Sequence, residues 1–482
     1  MKTAVVVGGG ITGLTCALRL EQGARAAGLD LQVQLFEAGA RTGGVIATAQ
    51  QDGFLMERGP DSLITTKPAG TQLASEVGLG PRLIGTGEGH RRSFVVRGGR
   101  LHAVPEGFYL LAPTAIWPFL ASPLFSWPGK LRMGLDLVLP ARRDSGDETL
   151  ASFVRRRLGQ EALERIAQPM IAGIYTADPE ELSLAATMPQ FLELERKHGS
   201  VIRGMIASGL GGRGRAGQGT SGPRYGLFAT LAGGLEELTN AVAARLPAGC
   251  VTLGARAGGL RRAGERWELE VAGRTLAADV VCVALPPPRT AEVVAGLDAE
   301  LTAALAGIPC SSAATVNLGY RASEIAHPLD GMGLVIPATE ATTMMACSFS
   351  SRKYAGRAPE GAVLLRAFVG GALHQKAYQL DDGAMVEGVR RDVARLLGIR
   401  AEPVSVLVSR HPEAMPQYRL GHLERVAAIE RRLAALPGLA LAGNGYRGVG
   451  VPDCVQSAER AAGRLLERLG APAVAAHEQT AA

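Results

Sequence analysis

The chain has 482 residues, 47% of them hydrophobic and 20% charged, enough for two or three domains with a sizeable core and too apolar for disorder. Its net charge of +6 comes almost entirely from arginine, and no basic stripe carries interleaved aromatics, so no nucleic-acid partner is expected. Six widely spaced cysteines without a Cys-x-x-Cys pair, and eight histidines without ligand spacing, argue against a metal site and a redox disulfide; they fit buried thiols in a reducing, cytoplasmic compartment.

The first element is a short apolar strand, Thr3-Ala-Val-Val-Val7, too short and without the cleavage site of a signal peptide. It runs into Gly8-Gly-Gly10-Ile-Thr-Gly13 and a helix from Leu14. Such a turn lets the backbone approach a pyrophosphate at Gly10 and the helix pack closely at Gly13, with the helix N-terminus facing the negative charge. A second strand over 31–36 ends in Glu37, an acid placed to bind ribose hydroxyls and ill suited to a 2′-phosphate. With Arg41 and Gly43-Gly44 the segment resembles the extended fingerprint of FAD proteins with two dinucleotide-binding domains, where the arginine and glycines lie beside the pyrophosphate.

From about 81 to 200 the chain reads as helical, with amphipathic pieces at 148–157 and 160–167; the triplet Arg155-Arg156-Arg157 reads as a solvated helix face. Residues 107–129 carry no charge, yet Pro113, Pro118 and Pro123 forbid a continuous span. A mostly buried helical subdomain is the favoured reading, and short helices on a membrane surface, with Trp117 and Trp127 at the headgroups, are the alternative. A Gly/Arg stretch at 209–219 marks a flexible loop. Strands near 251–253, 267–271 and 280–283 then lead to Ala284-Leu-Pro286, which resembles the Ala-x-Pro loop bordering FAD. Several strands, at 314–320, 333–336, 342–349, 363–369 and 404–408, without intervening long helices, predict an antiparallel sheet. Finally, a strand at 439–442 meets a glycine-rich turn and a helix opened by Pro452 and Asp453; aimed at a flavin, its N-terminus would favour the reduced ring's negative charge.

Six motifs together resemble the oxygen-dependent porphyrinogen oxidases of haem biosynthesis over nearly the whole chain. They are residues 8–13, Glu57-Arg-Gly59-Pro60-Asp61-Ser62, Pro169-Met-Ile-Ala-Gly-Ile174-Tyr175, Met188-Pro-Gln-Phe191, Met415-Pro-Gln-Tyr418 and Gly448-Val-Gly-Val-Pro-Asp-Cys454. The expected fold is α/β: a Rossmann-like FAD-binding domain from the discontinuous segments 1–65, 226–300 and 425–482, an antiparallel-sheet substrate domain from 66–80, 175–225 and 301–424, and a helical domain, 81–174, that could associate with a membrane. The Gly-Pro-Asp-Ser and Gly-Ile-Tyr forms are similar to the branch acting on coproporphyrinogen III, whose close relatives act on protoporphyrinogen IX.

The resemblance implies FAD contacts at Gly8, Gly9, Gly10, Ile11, Thr12, Gly13, Glu37, Ala38, Arg41, Gly43, Gly44, Val45, Gly59, Pro60, Asp61, Ser62, Ala257, Val449, Gly450 and Val451. Ile174 and Tyr175 are expected in the cavity wall over the flavin, and Lys67 on a substrate propionate; no catalytic residue is assigned. Where many of these oxidases carry tryptophan before the Met-Pro-Gln-Tyr turn, this chain has His411. The implied partners are a porphyrinogen and molecular oxygen, with room for the next enzyme of haem biosynthesis. The alternatives are a flavin amine oxidase or desaturase, and a non-enzymatic tetrapyrrole carrier.

Overall fold

The structure, a computed structural model, describes residues 1–87, 92–109, 111–144, 146–208 and 227–471. The Gly/Arg stretch at 209–219 lies outside the described residues.

A five-stranded parallel sheet holds the nucleotide-binding motif. Its strands run in the order Val251–Thr252, Leu31–Phe36, Lys2–Val7, Val280–Val283, Leu439–Leu441, so the first strand of the chain is central. Alternation along that strand sends Ala4 and Val6 to one face and Val5 and Val7 to the other, and both faces are covered. On the first face lie the helices Ile11–Ala26 and Val451–Arg468, packed so closely that a Cβ on Gly23 would stand 2.3 Å from Leu466. On the second lie a three-stranded sheet, with Trp267 fully buried beneath it, and the helices Pro287–Val294 and Ala299–Ala306.

A seven-stranded sheet forms the second layer, ordered Ser405–Pro416, Cys310–Arg321, Ala362–Gly370, Ala346–Ser348, Gly333–Val335, Ser93–Arg97, Arg100–Ala103. It is antiparallel, as expected, except where Gly333–Val335 pairs parallel with Ser93–Arg97. That pairing corrects the helical reading of residues 93–103: they form a hairpin whose partner strand lies far along the chain.

Helices between 116 and 207 share one apolar cluster around Phe153, Ile171 and Phe191. The prolines do cut the uncharged segment, into the helices Ile116–Ala121 and Trp127–Gly134. Phe119, Leu124 and Phe125 are buried, but Trp117 is 81% and Trp127 65% exposed, so the buried reading holds for only part of the segment. Among the described residues no helix is long and apolar enough to cross a membrane. The arginine triplet is not a solvated face either. Arg155 is exposed, Arg156 bridges Glu148 and Glu195, and Arg157 is fully buried, bonded to Asp136 and to the carbonyls of Leu139, Pro140 and Gly199.

Candidate active site

The glycine turn follows from the strand and helix that flank it. A Cβ on Gly13 would stand 1.8 Å from the Gly8 carbonyl oxygen, so only glycine lets the helix start this close to the strand. Gly10 differs: a Cβ there would meet nothing within 4 Å, and no side chain caps the Ile11–Ala26 helix. Open space in front of uncapped N–H groups from Ile11, Thr12 and Gly13 suits a pyrophosphate.

Glu37 marks the adenosine end. Its carboxylate accepts from the N–H groups of Gly9 and Gly39, each at 2.6 Å, with Ala38 between. The Ala255 N–H donates to the Glu37 carbonyl at 2.9 Å, bringing Ala257 and its strand to the same end. Toward the other end, Gly43 bridges to Gly10. Arg41 turns onto its own loop, donating to the carbonyls of Thr42, Gly44 and Ile46 at 2.7 to 3.0 Å. Val45 follows, and a Cβ on Gly59 would stand 1.8 Å from its carbonyl oxygen.

Three consecutive carbonyls in this second loop are held by side chains of the seven-stranded sheet. Asn317 donates to Glu57 O at 3.1 Å, Thr315 to Arg58 O at 2.9 Å, and Arg366 to Gly59 O. His411 Nε2 lies 2.7 Å from the same Arg58 carbonyl. Burial lowers the His411 pKa, more than the bond to Arg58 raises it, so the ring is neutral and carries its hydrogen on Nε2. Past Pro60, Asp61 accepts from Ser62 Oγ at 2.7 Å and lies 3.0 Å from Lys353 Nζ and 3.6 Å from Arg366. Burial alone would raise the Asp61 pKa; Lys353 and Arg366 outweigh it and hold the carboxyl far below its ordinary range.

The C-terminal turn closes the site from the helix side. Gly450 caps the Val451–Arg468 helix, and the Asp453 carboxylate accepts the Gly450 N–H at 3.1 Å and a bond from Lys67 at 2.7 Å. Lys67 is thus engaged by Asp453, which places a carboxylate in that helix's N-terminal field. Val451 is buried, and Val449 packs on the helical cluster.

Tyr175 lies within the electrostatic reach of Asp453. Burial, then that carboxylate, push its phenol up to about 12, and its hydroxyl donates to Thr187 O at 3.2 Å. Ile174, next to it, is 45% exposed. Their helix, Gln168–Tyr175, ends at Thr176 in the left-handed region, φ +50°, where Thr176 meets Ser311 Oγ at 2.8 Å and Gln417 bonds Ser311 at 3.0 Å. This polar knot fixes the helix end on the sheet.

Lys353, Arg366, Asn317 and Thr315 were not among the residues expected. A signal was available for one: Arg366 interrupts an otherwise apolar strand at a buried position. Three buried polar atoms near the 57–62 loop, Arg366 Nε, Asn317 Oδ1 and Tyr354 Oη, have no hydrogen-bond partner. With the open space at Gly10, they fit a dinucleotide whose ring end carries polar atoms.

This arrangement is that of a flavoprotein oxidoreductase, with a dinucleotide-binding turn on a parallel sheet and a second loop gripped by an antiparallel one. The family described as flavin containing amine oxidoreductase matches residues 11–466, and the chain belongs to it, in the branch formed by the porphyrinogen oxidases. Coproporphyrinogen III oxidase of Bacillus subtilis (strain 168) is 36% identical over 472 residues, 97% of this chain and 98% of that one. Protoporphyrinogen oxidase of Bos taurus is 32% identical, over 96% of this chain and 98% of its own. The crystal structure of a protein from Exiguobacterium sp. 255-15, assigned as a protoporphyrinogen oxidase, superposes with a TM-score of 0.85 at 31% identity, over 97% of this chain and 99% of the other. The protein is an FAD-dependent oxidoreductase. Among the described residues no cluster of histidine, cysteine or carboxylates could hold a metal.

Proposed function

We propose that this enzyme oxidises coproporphyrinogen III to coproporphyrin III. Three hydrides leave bridging carbons, three protons leave with them, and three molecules of oxygen become three of hydrogen peroxide. The observation that carries the reading is 36% identity to a coproporphyrinogen III oxidase along nearly the full length of both chains. FAD, when bound, supplies the hydride acceptor and the route to oxygen. The residues expected to hold it run from Glu37 past Gly10, Gly43 and Gly59 to Val449–Val451.

The chain's own part is orientation and exclusion of water. Tyr175 and Ile174 border the ring end; Tyr175 stays neutral at physiological pH, its phenol raised to about 12. Asp61 is locked in ion pairs and Lys67 in another, so neither is a free base. That suits a substrate whose hydrogens are already hydridic and whose pyrrole protons need no strong base.

The test mixes the purified yellow holoenzyme, without oxygen, with coproporphyrinogen III and separately with protoporphyrinogen IX, following flavin absorbance near ~450 nm. Faster bleaching by coproporphyrinogen is expected. Faster bleaching by protoporphyrinogen reassigns the substrate; porphyrin binding without bleaching turns the protein into a carrier; bleaching by benzylamine alone makes it an amine oxidase.

The enzyme also carries a surface suited to a lipid bilayer, and we infer peripheral contact there. Trp127, Leu131, Leu135 and Val138 recur at helical spacing along one stripe, all exposed. Ile116 and Trp117 are exposed on the preceding helix, which Lys130 ties on by donating to Leu120 O at 2.6 Å while lying over the Trp127 ring. Two tryptophans beside aliphatic side chains match a headgroup boundary.

A further inference from the structure

A buried patch of charge beneath the 57–62 loop is left unexplained by the nucleotide-binding motif and by the substrate. Three cations reach the loop from the chain between the strands of the seven-stranded sheet and from the sheet itself. Lys353 Nζ lies 3.0 and 3.2 Å from the two Asp61 oxygens. Arg366 lies 3.6 Å from Asp61 and donates to Gly59 O. Arg357 lies 3.8 Å from Glu57 and donates to the carbonyls of Leu231 and Ala232. Arg357 is answered by Glu57, by Glu237 and by two carbonyls, whereas Lys353 and Arg366 share the single carboxylate of Asp61, and Arg366 is almost wholly buried. An uncompensated positive charge in such a place costs stability unless an anion or a strong dipole answers it. Arg366 Nε, pointing nowhere within the protein, belongs to the same patch.

The cofactor would supply such a partner. Were its pyrophosphate held at Gly10 and its adenosine toward Glu37, its flavin half would run the other way, along residues 43–46 and 59–62. A flavin ring gains negative charge on reduction, and a nearby excess of positive charge stabilises that form.

We propose that Lys353 and Arg366, held in place by Asp61, form an electrostatic seat for the flavin ring and set its reduction potential. They are positioning residues that take no part in proton transfer. The cations raise the potential and Asp61 tempers them. The inference rests on FAD and is independent of which substrate the enzyme takes.

The test is the two-electron midpoint potential of the holoenzyme, titrated anaerobically with dithionite against a reference dye, for the wild type, Lys353→Met, Lys353→Arg and Asp61→Asn. A unit charge acting over roughly 10 Å through an effective dielectric of about 20 changes an equilibrium about tenfold or somewhat more. Lys353→Met is therefore expected to make reduction about tenfold less favourable, about 30 mV downward, and Asp61→Asn to shift it upward by a similar amount. Lys353→Arg should stay near the wild type. Opposite signs distinguish a charge effect from mere distortion, which gives no reason for one variant to gain what the other loses. Shifts of the same sign, or no shift in either variant, overturn the proposal. Should Lys353→Met fail to keep its flavin, the Asp61→Asn shift decides: upward supports the seat, zero or downward overturns it. No porphyrinogen enters the measurement, so a wrong substrate assignment leaves the outcome untouched.

Discussion

Gly10 and Gly13 sit three positions apart in one turn and answer to different constraints. Gly13 has a protein atom 1.8 Å from where a methyl would go, and Gly10 has none within 4 Å. Gly13→Ala is expected to lower the thermal midpoint of the apoprotein and abolish FAD binding. Gly10→Ala is expected to leave apoprotein stability within about 0.5 kcal/mol of the wild type while weakening FAD, as calorimetric titration of the apoprotein would read. His422 is a residue whose protonation the fold resists. It is buried, stacks on Tyr418 at 3.9 Å and faces the Tyr446 carbonyl through Nε2 at 2.9 Å. Burial, against that bond and helped by Arg425 and Arg447, lowers its pKa from 6.5 to about 4. The unfolded chain then binds a proton that the folded one refuses between pH 6.5 and about 4, so stability falls as pH falls through that window, by up to about 3 kcal/mol. Urea midpoints at pH 7 and pH 5 measure it, and His422→Gln should flatten the difference.

At the scale of elements, what could be read in advance was what is local. The strand, glycine turn and helix at each end of the chain follow from residues within a few positions of one another, and the Lys2–Val7 and Val451–Arg468 elements stand where the spacing put them. The hairpin of Ser93–Arg97 and Arg100–Ala103 could not be read the same way, because it is stabilised by pairing with Gly333–Val335. Arg157 misled for a related reason: its neighbours suggest a solvated helix, while its partners Asp136 and Gly199 arrive from outside that helix. In the site, the glycines were legible through their motif, whereas Lys353 and Thr315 belong to no motif and acquire meaning only from the loop they reach across the fold. Lys67, expected on a substrate propionate, pairs with the helix-cap carboxylate of Asp453 at 2.7 Å, a neighbour 386 positions away that no local pattern announces.

For the molecule as a whole, the apolar stripe is separable from the site by side chain: its exposed residues are not among those expected to hold the cofactor, although the stripe and Tyr175 belong to helices packed on one apolar cluster. Trp117→Ser with Trp127→Ser and Leu131→Ser removes side chains 65% to 81% exposed, and little packing is lost with them. Co-sedimentation with phosphatidylglycerol vesicles should drop severalfold, while turnover in detergent-free buffer stays near that of the parent; unchanged sedimentation would remove the membrane surface from the account.

The carbonyls of Arg58 and its neighbours carry a further consequence, one of order in time. The side chains that grip them come 257 to 353 positions later in the chain, at Thr315 and His411 for Arg58 itself. At a translation rate of about 5 to 20 residues per second, that interval is on the order of tens of seconds. During it the loop has left the ribosome without the strands that shape it, and the outer strand Leu439–Leu441 is later still. The nucleotide motif is therefore made hundreds of residues before the strands that complete the pocket it serves, so the site can take up its cofactor only after those later strands have been added.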